Sequence, residues 1–255
     1  MGNRGEEMKN ILLSTRPKWC EKICHEIGKD ENGKPIYEKS IEVRKSAPKE
    51  VPFKAFIYAT RPKNFYKCGA VSTSDELLWL ANGKVEMGDG FKFWADGDEY
   101  QCLNGRIIGE FVCDKVENFY CASVPYQKEN NLGYGQFVDN GVYKVNGWHE
   151  GVVFERNDRY IDTMLNNNDL KEMCLSAQEL FDYIGIGKHL YAWHISDLKI
   201  YDRPRELSEF CIPCKVSCEN CKNPLYFECW CEEKGKKIVT RPPQSYMFVE
   251  EIETR

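Results

Sequence analysis

Apolar residues come in short runs along this chain, and Gly, Pro, Asn and Asp punctuate them. Residues 10–14, NILLS, form one such run, and RPKWCEKICHEI follows with Trp19, Ile23 and Ile27 at helical spacing, so strand, turn and helix are expected in that order. KDENGK, residues 29–34, carries the Asn-Gly chemistry of a tight turn. EKSIEVRK, residues 38–45, then alternates. As a strand it sends Ile41 and Val43 to one face and Ser40, Glu42 and Arg44 to the other, with Lys39 at its entrance.

VPFKAFIYAT, residues 51–60, is apolar enough for a buried strand that Pro62 closes. Hairpins are expected from Asn64 to Asn104, with Gly83, Gly88, Gly90 and Gly97 at turns, and GRIIGEFVCDKVENF, residues 105–119, returns to strand character. Residues 125–168 are rich in Gly and Asn and are expected to form an elaborated loop or added hairpin pair rather than new core. LSAQELFDYIGIGKH places Glu179 three residues after Ser176, a capping box, and Gly185 and Gly187 where the helix should stop. YAWHISDLKIYD, residues 191–202, predicts a strand with Ala192, His194 and Ser196 on one face, and SYMFVEEI a last one.

Many short strands with two helices predict an α+β fold around a small curved or closed sheet. One domain is expected over residues 9–255, with elaborations at 62–104 and 125–168, a cysteine-rich insertion at 208–240 and a flexible N-terminus at 1–8.

Composition narrows the classes. The 255 residues are 42% hydrophobic and 29% charged, without the run of about 18 apolar residues a membrane helix needs, so no membrane partner is expected. MGNRGEEMKN has no apolar core of a secretory signal, and a cytoplasmic protein is expected. The net charge of -5 gives no global attraction to a polyanion, but residues 16–67 are rich in Lys and Arg, which leaves room for a local basic pocket.

Thirteen cysteines are unevenly spread. Cys211, Cys214, Cys218, Cys221, Cys229 and Cys231 fall close together with paired C-x2-C spacing, which suits a structural four-thiolate zinc site formed by four of these six. Cys214, Cys218 and Cys221 with one of the remaining three is the favoured quartet; an iron-sulfur cluster, and reduced thiols or a disulfide, are the rival readings. Cys20 and Cys24, one helical turn apart, are expected as buried thiols. No G-x-S-x-G, Walker loop or H-E-x-x-H occurs.

The segments ILLSTRPKWCEKI, KSIEVRK, FKAFIYAT, GRIIGEFVCDKV, YAWHISDLKIYDRPRELSEF and RPPQSYMFVEE resemble, in order, the ASCH family, whose fold is PUA-like. More narrowly they resemble ASCH-related proteins of phages and prophages of Gram-positive bacteria. The resemblance implies a small β-barrel with flanking helices and a cleft that holds RNA, single-stranded nucleic acid or a modified nucleotide. Arg16, Lys18, Lys39, Glu42 and Arg44 would line that cleft, with Ser14 beside them.

It also implies an alternative, because one branch of the family hydrolyses a modified nucleoside. Lys39 matches that branch's lysine, Glu42 stands where its threonine would be, and Glu172 is an approximate match for its acid. An amidohydrolase or a ribonuclease using Lys39 and Glu42 is therefore the enzymatic expectation, and a host-protein partner is the third. Read from the residues alone, an ordinary ion pair of Glu42 with Arg44 or a Lys on a solvated strand face is favoured over a binding role. His194, between Trp193 and Ile195, reads as structural, and Trp19 and Tyr58 as core aromatics before base-stacking ones.

Overall fold

The computed structural model describes residues 8–61, 77–81, 83–88, 101–124, 137–138, 142–146, 148, 151–156, 165–213 and 237–252. It is a strand-rich α+β protein that gathers into two compact units, where the sequence suggests one domain. The first takes residues 1–21, 53–112 and 198–255; the second takes 22–52 and 113–197.

In the first unit, β1 (Lys9–Thr15) pairs in parallel with β5 (Phe53–Ala59), from Lys9 opposite Phe53 to Thr15 opposite Ala59. Parallel strands are covered on both faces, which explains why ILL and FKAFIYA are apolar almost without alternation. The sheet is completed by β9 (Ile107–Cys113), β15 (Ser196–Arg205) and β17 (Tyr246–Phe248), in the order β15-β9-β5-β1-β17. Gly109 lets β15 approach β9, since a Cβ there would lie 2.5 Å from the carbonyl oxygen of Lys199. Leu12, Phe56, Tyr58, Ile107, Phe210, Val239 and Val249 form one buried cluster of this unit, with the Phe56 and Phe210 rings edge to face at 4.8 Å.

A three-stranded antiparallel sheet, with β6 (Leu78–Ala81) between β7 (Lys84–Met87) and β8 (Gln101–Cys102), contains the expected hairpin with its turn at Gly83. A small pair joins β16 (Phe210–Cys211) to β18 (Glu250–Glu251). The first helix, α1 (Pro17–Cys24), ends a turn earlier than its periodicity suggests. Ile27 belongs instead to β2 (Glu26–Lys29), where it is exposed, and β2 pairs with β3 (Pro35–Tyr37) across the Asn-Gly turn.

The second unit is built on the sheet β11-β12-β13-β10-β14-β4. Its strands are β4 (Ile41–Arg44), β10 (Val116–Val124), β11 (Phe137–Val138), β12 (Val142–Lys144), β13 (Gly151–Arg156) and β14 (His189–His194). Two helices cover one face, α2 (Asn167–Met173) and α3 (Ala177–Ile184). The Ser176–Glu179 capping box and the stop at Gly185 are present as expected.

Two expectations are corrected here. Within 125–168, where the sequence suggests an elaboration rather than new core, the described residues Tyr143, Val145, Val152, Phe154 and Leu165 are buried in the same core as Ile41, Val43, Phe119, Leu180 and Ala192. Glycine and asparagine dilute the apolar pattern there, but the inward positions of β12 and β13 keep it. The helix α2 was also not expected; its signal is Asn166, whose side chain caps the helix, with Asp169 returning the capping-box bond. Among the described residues no sheet closes into a barrel, and no helix is long and apolar enough to cross a membrane.

Candidate functional site

The strand of the IEVR motif is β4, the edge of the second sheet, antiparallel to β14 with Trp193 opposite Glu42 and Tyr191 opposite Arg44. Ile41 and Val43 point into the core, as the alternation predicts. The charged face differs from the expectation of a solvated pair: Lys39, Glu42 and Arg44 are all buried, with side chains 2%, 6% and 11% exposed.

Their contacts are mutual. One oxygen of Glu42 receives the Arg44 guanidinium at 2.8 Å, and the other faces the Lys39 ammonium at 3.5 Å. Lys39 Nζ also donates to the main-chain carbonyl of Met173 at 2.6 Å. That carbonyl lies in the last turn of α2, where such groups lack intrahelical partners and where the helix dipole favours a cation. Burial holds the Lys39 amine below its ordinary value of 10.5, while the charge of Glu42 pulls against it.

Residues 38–40 fasten the same helix end by two further bonds. Ser40 N–H donates to Glu172 O at 3.1 Å, and the Cys174 thiol donates to Glu38 O at 3.2 Å. Cys174 is the left-handed cap of α2, with φ of 55°. The Glu38 carboxylate in turn holds Lys22 and, at 3.0 Å, His25 Nδ1. Hydrogen bonds from Lys22 and His25 keep its pKa below the usual carboxylate range. Cys174 and the Met173 carbonyl are the participants that sequence reasoning misses; the Asn166–Asp169 capping box, by locating α2, is the signal that would have pointed to them.

Glu172 meets this cluster through its main chain, and its side chain is exposed on α2. Arg16, Lys18 and Ser14 belong to the first unit. There Arg16 and Lys18 are exposed, the Lys18 ammonium lies 4.6 Å from the Trp19 ring centre, and the buried Ser14 hydroxyl donates to Pro243 O at 2.7 Å. Tyr58 is core, as expected.

Of the six clustered cysteines, Cys214, Cys218, Cys221, Cys229 and Cys231 lie outside the described residues. Cys211 is buried in β16, its thiol 3.6 Å from Glu250 O. Among the described residues no group of His, Cys, Asp or Glu is arranged to hold a metal. Cys20 and Cys24 are both buried, and burial pushes the Cys24 thiol up to about 12. Comparison of the chain with family models, curated proteins and solved structures finds no match.

Proposed function

We propose that the second unit is a binding module for RNA or a modified nucleotide, and that the ligand meets the Arg44 edge of the Lys39–Glu42–Arg44 cluster. The observation that carries this reading is the withdrawal of three neighbouring charges from water. Burying an ion pair rarely adds stability, so charges drawn this far from water are costly as a mere staple. The Arg44 guanidinium suits a phosphate or the acceptor edge of a base, since its planar fork can present two parallel donors to either.

Within that reading the three residues divide the work. Arg44, the most exposed of them, contacts the ligand; Glu42 aims the guanidinium; Lys39 ties Glu42 to the end of α2. The resemblance to ASCH proteins, carried by KSIEVRK and its flanking segments, supports the same ligand class and a PUA-like ancestry. A structural zinc held by four of Cys211, Cys214, Cys218, Cys221, Cys229 and Cys231 belongs to the proposal on cysteine spacing.

The experiment is a fluorescence-anisotropy titration of a labelled single-stranded oligoribonucleotide with the wild-type chain and Arg44→Lys. Loss of the fork at retained charge should weaken binding about tenfold, in line with the roughly 1–3 kcal/mol of a bidentate contact. The salt slope should stay shallow, since one to three phosphates release few counterions. Equal affinity in both proteins would remove Arg44 from the site.

Hydrolysis is the second reading, favoured by the lowered proton affinity of Lys39 beside Glu42. It requires turnover of an acetylated or otherwise modified nucleoside that Lys39→Met abolishes while the fold persists. A panel of such nucleosides left intact by the wild-type chain would count against it.

A further inference from the structure

The face of the second sheet turned away from its helices carries a patch of planar side chains. Phe119 and Cys121 of β10 and Leu190 and Ala192 of β14 are core, so alternation sends Asn118, Tyr120, His189 and Tyr191 to the reverse face, where Glu42 and Arg44 also lie. Backbone register orders them. Arg44, Tyr191 and Asn118 stand side by side across β4, β14 and β10; two residues along, His189, Tyr120 and Glu155 do the same across β14, β10 and β13.

The patch meets water. His189 and Glu155 are exposed and Asn118, Tyr120 and Tyr191 half-buried, whereas Trp193 and Val153, beyond it on either side of the same face, are buried. The Tyr120 and His189 rings lie 5.1 Å apart with their planes at 52°, and His189 Nδ1–H donates to Asn118 Oδ1 at 3.0 Å, so the rings are held in place. No aliphatic side chain interrupts these five positions. Phenol and imidazole rings offer π-faces on which bases stack, and an amide and a carboxylate beside them can read base edges. Charge gives the patch a direction, because the Arg44 guanidinium ends it on β4 and the Glu155 carboxylate ends it on β13. A phosphate is drawn to the first and repelled by the second.

We propose that this face is a stacking platform for two successive bases of a single-stranded ribonucleotide. Tyr191 takes the base whose phosphate lies at Arg44, and Tyr120, flanked by His189, takes the next. The two tyrosines are diagonal neighbours on adjacent strands, about 7–8 Å apart, which leaves each ring a base of its own. Glu155, directly across from Tyr120, accepts a hydrogen bond from the exocyclic amine of the second base and so favours cytosine or adenine over uracil. The ligand class rests on the reading of Arg44 above, but the platform touches the bases rather than the phosphate, through residues that reading does not use.

Anisotropy titrations with labelled tetraribonucleotides of cytidine and of uridine, and with an abasic ribose-phosphate strand of the same length, test it. The abasic strand should bind the wild-type chain about tenfold more weakly than the cytidine strand, as loss of stacking requires. Tyr120→Leu and Tyr191→Leu should each weaken the cytidine strand by about the same factor and leave the abasic strand unchanged. Tyr120→Phe and Tyr191→Phe should keep wild-type affinity, because the ring rather than the hydroxyl makes the contact. Glu155→Ala should erase the preference for cytidine over uridine, and Arg44→Lys should weaken all three strands. Equal affinity of the wild-type chain for the intact and abasic strands, or wild-type affinity in both folded Leu variants, would overturn the platform; a loss in Arg44→Lys alongside either result would keep the Arg44 reading. Should a Leu variant fail to fold, the abasic comparison decides with the wild-type chain alone. Equal affinity for the cytidine and uridine strands would overturn the part given to Glu155. Weakening in the Leu variants with none in Arg44→Lys would support the platform and remove Arg44, and no binding of any strand would overturn both.

Discussion

Glu42 is the residue on which the buried charges depend, since it faces Arg44 and Lys39 with one oxygen each. Glu42→Gln removes the carboxylate that faces both buried cations, and breaking such a pair typically costs about 3–5 kcal/mol. Urea denaturation should show that loss as a lower midpoint at unchanged m-value. Lys39 adds a pH signature. Its folded pKa lies below the ordinary 10.5, so in the window between the two the unfolded chain binds more protons and stability rises with pH. Measured against Lys39→Met, the wild-type chain should gain stability as pH rises towards about 10, where the difference levels off near the unfolded amine's value. A flat difference would mean that Glu42 and the Met173 carbonyl hold the ammonium charged throughout.

The elements most legible in the sequence were those with one strong local signal. Ser176 and Glu179 announce α3, Asn32-Gly33 the turn between β2 and β3, and the unbroken apolar runs of β1 and β5 their burial on both sides. The alternation of Ile41 and Val43 was also legible, but the burial of Glu42 and Arg44 was not, because a period of two assigns faces without saying what covers each of them. Ile27 kept helical spacing with Ile23 by coincidence and belongs to the next strand. Residues 142–156 hid their core role among glycines and asparagines, although Tyr143, Val145, Val152 and Phe154 alternate as inward positions should.

Close approach was likewise invisible in sequence at Gly109, which packs against the main chain of Lys199. Gly109→Ala should push β15 off β9 and destabilise the protein by about 1–3 kcal/mol, as overpacking does, readable as a lower denaturation midpoint. Asn166→Ala should cost about 1 kcal/mol by removing the cap of α2. Because Lys39, Ser40 and Glu38 grip the far end of that helix, hydrogen exchange should quicken at residues 38–40 in the same variant.

At the scale of the whole molecule, the chain passes between its two units at 21/22, 52/53, 112/113 and 197/198. Interleaving of this kind removes any simple linear boundary from the sequence, which explains why one domain was the natural reading. It also means that residues 113–197 lack a strand of their own sheet: β4, with Ile41 and Val43, comes from 22–52. Expressed alone, 113–197 should lack cooperative unfolding and the dispersed amide spectrum of a folded unit. Cooperative folding of that fragment by itself would show that β4 is dispensable to the core.

Nucleotide recognition at the Arg44 edge is the claim that joins these scales, because it gives a purpose to charges that packing alone does not need. Hydrogen exchange with and without a short single-stranded oligoribonucleotide tests it most directly. Slowed exchange in the peptides covering residues 38–45 and 167–175, lost in Arg44→Lys, is the predicted result; unchanged exchange there at a saturating concentration of oligonucleotide would contradict it.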